Sequence, residues 1–165
     1  MLLLADTLMG TSFVALISRR MTSSMSCGVS GSGFGAYICL QLLMRRPEID
    51  GFVAVAPPAN HYDLAFLAPC PASGIILAGE KDIVAPPSDI DRSLTKVRVQ
   101  KGEVIERANV PGANHFFQGK LEELEKISSV YLKKRMKAFE KAQKEAAEAK
   151  AIKDAAKLPA PKPQS

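Results

Sequence analysis

Two short, uninterrupted apolar runs limit what this chain can fold into more than any other feature. Phe52-Val53-Ala54-Val55-Ala56 lies between Asp50-Gly51 and Pro57-Pro58, and Gly74-Ile75-Ile76-Leu77-Ala78 is equally compact. A strand with one wet face alternates apolar and polar residues, whereas a run that is apolar throughout needs cover on both faces, as in a parallel sheet between helices. A third strand is expected over residues 103–110, where Val104, Ile105, Ala108 and Val110 are interleaved with charge, as suits a place near the sheet edge. Helices are expected over residues 88–97 and from 121 to about 156. A glycine cluster beginning at Gly31 runs into residues 36–44, which leave no polar face wide enough for a surface helix and should be buried. Strand and helix alternate, so the fold class is α/β with a mostly parallel sheet flanked by helices and a long charged carboxyl-terminal helix.

The 165 residues suffice for one domain with a sizeable core. Three segments are distinguished: a divergent amino-terminal stretch (1–26), an α/β body (27–137), and a charged helical extension with a disordered tail (138–165). The formal charge of +5 belongs to the chain's end, because 10 of the 22 Lys and Arg but only 4 of the 17 Asp and Glu lie from Leu132 onward, leaving 12 and 13 before it. That end is rich in Ala, Lys and Glu, so it favours helix with nothing to pack, and no aromatic follows Phe139 to stack on a base. Neither nucleic acid nor membrane is expected as a partner. Cys27, Cys39 and Cys70 are unclustered and lack a C-x-x-C spacing, which points to neither a disulfide framework nor a metal site and fits a reducing, cytoplasmic compartment. Residues 1–21 hold an apolar run broken by Asp6 and Gly10, too interrupted for a membrane span of about 20 residues. Poor in acids and containing Arg19-Arg20, the segment has some character of an organelle-targeting peptide, and the plainer reading is a helix covering exposed core.

The chemistry-bearing residues fall at strand ends. Asp82 follows the second apolar run in Gly79-Glu80-Lys81-Asp82, and His115 follows the third strand in Pro111-Gly112-Ala113-Asn114-His115-Phe116-Phe117. In open α/β sheets ligands collect at the carboxyl edge. An aspartate that accepts a hydrogen bond from one ring nitrogen of a histidine leaves the other nitrogen as a general base. The order acid then histidine is that of Ser-Asp-His hydrolases, with Phe116 and Phe117 placed to wall the histidine from water. Taken singly, Asp82 reads as a turn cap and His115 as a packed loop residue. The nucleophile should stand on a sharp strand-to-helix turn between small residues. Cys27-Gly28-Val29-Ser30-Gly31-Ser32-Gly33-Phe34-Gly35-Ala36 offers three registers: Ser30 between Gly28 and Ser32, Ser32 with bulky Phe34 two residues on, and Gly33 between Gly31 and Gly35 with no side chain to attack.

The runs 34–38, 41–52, 55–60, 67–71 and 111–117, with Phe34-Gly35-Ala36 and Pro111-Gly112-Ala113-Asn114-His115-Phe116-Phe117 most telling, resemble small bacterial α/β-hydrolases related to dienelactone hydrolases and short-chain esterases. The resemblance implies a partial α/β-hydrolase fold, a cofactor-free reaction on a small ester-like substrate, Asp82 as acid and His115 as base. It sets Gly33 at the family's serine, with the nucleophile missing or displaced to Ser32 or Ser30, and makes the Phe34 amide an oxyanion-hole donor. Ser32, Asp82 and His115 are the expected catalytic set. The family's amino-terminal strands have no counterpart in residues 1–26, so a sheet edge needs cover from that segment or from self-association.

Three functions compete for these residues. A serine esterase follows from the ordered frame; a non-catalytic relative serving as a binding or structural module follows from Gly33. Dinucleotide binding follows from G-x-G-x-x-A at residues 31–36, but it needs an acidic residue about 20 positions on, and the next strand ends in Ala56-Pro57-Pro58.

Overall fold

The computed structural model describes residues 14–21, 24–97 and 102–155; the tail at 158–165 and the first 13 residues of the amino-terminal segment lie outside the described residues. Five strands, β1 (Val14–Met21), β2 (Ser24–Ser32), β3 (Gly51–Val55), β4 (Ser73–Gly79) and β5 (Ile105–Val110), form one sheet in the order β1-β2-β3-β4-β5. From β2 to β5 every pairing is parallel. Helices α1 (Phe34–Leu43) and α2 (Pro87–Leu94) connect parallel strands, and α3 (Leu121–Ala155) follows β5.

β4 is buried at all seven positions and β3 at its middle three, as continuous apolar runs require. Phe52, Ala54, Ile76 and Ala78 share one face by the two-residue period and join Ala36, Leu40 and Leu43 of α1 and Ile90 of α2 in one core. Fully burying an Ile or Leu contributes roughly 1.5–3 kcal/mol, so the centre of the sheet holds the fold. The Phe52 ring lies across Gly74, where a Cβ would meet it. β5 is half-buried over most of its length and lies at the edge, as its mixed sequence suggests.

Three expectations change. Residues 14–21 form no helix: β1 pairs antiparallel with β2 one residue to one, from Val14 opposite Gly31 to Met21 opposite Ser24. Without that pairing the outer edge of β2 would present a row of unmet N–H and C=O groups, and satisfying them outweighs local helical pattern. α1 is buried on one face only. Phe34 and Ile38 are exposed, Phe34 packs against Tyr37 and Tyr62, and half-buried Tyr37 lies against the margin of the core. α2 is also shorter than the expected 88–97.

The chain divides into two compact units, Met1–Glu125 and Lys126–Ser165. In the second, residues 140–150 are exposed apart from half-buried Gln143, the solvated helix that the Ala, Lys and Glu composition implies. Among the described residues no helix is long and apolar enough to cross a membrane.

The three cysteines are free thiols. Cys39 of α1 donates to the Ser30 carbonyl of β2 at 3.0 Å, and burial pushes its thiol up to about 11. Burial also raises Cys70, and burial followed by the nearby Asp50 and Glu48 charges raises Cys27. Between about pH 9 and 11 the unfolded chain ionises a thiol that the folded chain keeps neutral, so folding binds protons and stability falls as pH rises. Urea unfolding at a series of pH values should show this fall, and it should be smaller in Cys39→Ala; equal slopes would contradict the buried, hydrogen-bonded thiol.

Candidate active site

The site is assembled by three loops at the carboxyl ends of β2, β4 and β5. After β2 the chain turns into α1 through Gly33, whose φ of 55° and ψ of −127° lie in a region that side chains rarely adopt. Residue 31 has no space for a side chain, since a Cβ there would stand 2.5 Å from the Gly35 carbonyl oxygen. The Gly33 amide donates to the Val55 carbonyl at 2.8 Å, tying the turn to the end of β3. Gly31 and Gly35 are therefore the small flanks of a strained turn centred on Gly33.

After β4, Asp82 is buried with its side chain wholly shielded. Its Oδ1 accepts the Val84 and Ala85 amides, both at 2.8 Å, and Oδ2 lies 2.8 Å from His115 Nδ1. A carboxylate only accepts, so Nδ1 carries the proton and Nε2 is left as the acceptor. The turn-cap role and the histidine-orienting role of Asp82 are thus played by its two different oxygens.

The loop after β5 is laced to the one after β4. Glu80 N–H donates to the Val110 carbonyl, Lys81 N–H donates to the Ala113 carbonyl, and the Gly112 amide donates to the Glu80 carboxylate at 2.7 Å. Asn114 Oδ1 accepts the Phe116 and Gln118 amides and closes the turn that carries His115. Glu80 and Asn114 are positioning residues that the sequence pattern did not single out; an Asn immediately before the histidine is a turn signal that could have pointed to one of them. Of the two aromatics expected to wall the histidine, Phe116 packs edge-on against the imidazole at 5.3 Å while staying exposed, and Phe117 is buried with a φ of 53°.

These loops bring Gly33 and His115 together. A Cβ on Gly33 would stand 3.7 Å from His115 Nε2 and, among the described residues, within 4 Å of no other non-neighbouring atom. Ser32 is the last residue of β2 and Ser30 lies two before it; among the described residues neither is hydrogen-bonded to His115. Phe34 opens α1, and its amide has no acceptor among the described residues. Phe66 packs edge-on against Tyr37 and Tyr62 stacks on Tyr37 at 4.5 Å, while His61 and Tyr62 border an open depression of about 410 Å³ with Asp63, Asp89, Arg92 and Lys96 that contains neither Asp82 nor His115. Among the described residues no group of three or more His, Cys, Asp or Glu is arranged to hold a metal ion.

Four parallel strands flanked by helices, with a strained strand-to-helix turn facing an Asp–His pair, constitute a partial α/β-hydrolase fold. The chain is 51% identical to a solved protein of unknown function from Agrobacterium tumefaciens, provisionally described as an α/β hydrolase. That likeness covers 68% of this chain and 52% of the other with a TM-score of 0.65. It is 28% identical to an α/β serine hydrolase homologue from Coxiella burnetii, over 59% of this chain and 45% of that one, with a TM-score of 0.51. Among curated proteins it is 42% identical over 120 residues to an uncharacterized protein of Rickettsia prowazekii (strain Madrid E), covering 70% of this chain and 50% of the other. The chain thus spans about half the length of the curated relative it matches. No family model matches it.

The seam between the acid and histidine loops leaves no room at Gly79, where a Cβ would stand 2.6 Å from the Ala113 carbonyl and 2.7 Å from that of Asn114. Gly79→Ala should therefore cost about 1–3 kcal/mol of stability by overpacking and push His115 away from Asp82. Urea unfolding together with the proton NMR signal of the His115 Nδ1–H reads both effects. Unchanged stability with an intact signal would contradict this seam.

Proposed function

We propose that this domain is a hydrolase relative that binds a small ester-like acyl ligand at the carboxyl edge of its sheet, keeps Asp82 and His115 as an acid–base pair, and forms no acyl-enzyme through serine. The observation that carries the reading is Gly33, which holds the strained turn and faces His115 Nε2 with no side chain to attack. A serine nucleophile becomes reactive when an adjacent base takes its proton as it attacks, so an oxygen off this turn loses that activation. Removing the nucleophile from such a triad costs on the order of 10⁶ in turnover. The Phe34 amide, at the first turn of α1 and without an acceptor among the described residues, is proposed as the donor to a ligand carbonyl oxygen.

The alternative is catalysis by Ser32, or Ser30, with Asp82 and His115. It is favoured by the half-buried Ser32 standing directly beside the turn. A fluorophosphonate probe with intact-mass readout separates the two. The folded protein should remain unlabelled, and Gly33→Ser, although strained by about 1–3 kcal/mol at its positive φ, should become labelled at residue 33. Labelling of the unaltered protein that disappears in Ser32→Ala would overturn the proposal and install Ser32 as the nucleophile.

A further inference from the structure

The Asp82–His115 pair is fully built although the residue it faces cannot react. Asp82 is fixed by two backbone amides, His115 is fixed by Asp82, and Nε2 has no hydrogen-bond partner among the described residues. Three exposed apolar side chains, Phe34, Ile83 and Phe116, directly follow Gly33, Asp82 and His115 in the chain. Of these, the Phe116 ring lies against the imidazole itself, so the directed base has exposed apolar surface beside it.

We infer that the pair acts on water directly and hydrolyses small apolar carboxylic esters in a single displacement, an activity that rests on the proposed absence of serine catalysis. With only hydrogen at residue 33, a water oxygen can stand within hydrogen-bonding reach of Nε2, on the side where a nucleophile's side chain would project. The water oxygen bonds to the ester carbonyl carbon as Nε2 takes one of its protons, and the carbonyl oxygen becomes an oxyanion that accepts the Phe34 N–H. Collapse breaks the bond from carbon to the leaving oxygen, and that oxygen takes the proton back from Nε2. The products are the carboxylic acid and the alcohol or phenol, His115 ends neutral, and nothing is oxidised or reduced. The exposed rings at Phe34 and Phe116 favour an ester with an apolar acyl or aryl group.

The probe is phenyl acetate with the full chain, followed by phenol release and by intact mass during turnover. Turnover should persist after fluorophosphonate treatment, with no initial burst and no acyl adduct. His115→Gln should lower it roughly 10²- to 10⁴-fold. Free imidazole should restore part of the rate to His115→Ala. Gly33→Ala, which places a methyl group where the water must stand, should also lower the rate. If the protein does not turn over phenyl acetate, or if His115→Gln leaves the rate unchanged, the inference fails while the absence of serine catalysis stands. An acetyl adduct on His115 would likewise overturn it, in favour of direct attack by the imidazole. Inhibition by the fluorophosphonate would overturn the inference and the proposed function together.

Discussion

At the junction of β2 and α1 the Gly35 carbonyl occupies the position that a Cβ of residue 31 would need, and that backbone contact fixes the rest of the site. So close an approach of helix to strand forces the intervening residue to reverse the chain within one step, which puts Gly33 at a positive φ and aims it at His115. A second backbone contact of the same kind, Gly79 against the carbonyls of Ala113 and Asn114, sets the histidine loop beside the acid loop. Glycine at 31 and at 79 is therefore required by sterics alone, while the buried strands β3 and β4 supply the stiffness that keeps three loop ends in one place.

The parts of the fold that could be read in the sequence are those whose environment is recorded at every residue. β3 and β4 are covered on both faces, so each position is apolar and the runs identify themselves. β1 is different, because its strand conformation is imposed by the open edge of β2 rather than by any pattern of its own. The outer face of α1 misled for a related reason: Phe34 and Ile38 are apolar, yet they lie outward, and Phe34 meets Tyr62.

Asp82 and His115 were legible because their positions after consecutive strands bring them to one edge, and the sheet does deliver them to 2.8 Å of each other. The register of the turn was not legible. Ser30, Ser32 and Gly33 all stand among small residues, and the turn centre is decided by which residue has its Cβ space filled by a helix carbonyl, a contact that composition does not record. Glu80 and Asn114 escaped notice because their work, bonding backbone amides of neighbouring loops, is visible only once the loops are side by side.

A pre-oriented Asp82–His115 pair faces a side-chain-free turn, and in the proposed reading hydrolase architecture is kept here without serine chemistry. The most direct measurement is a crystal structure of the Gly33→Ser variant. The turn should be unchanged, with the introduced hydroxyl hydrogen-bonded to His115 Nε2 and the Asp82–His115 contact intact. An introduced side chain directed away from the imidazole, or the Ser32 hydroxyl found in its place, would contradict it.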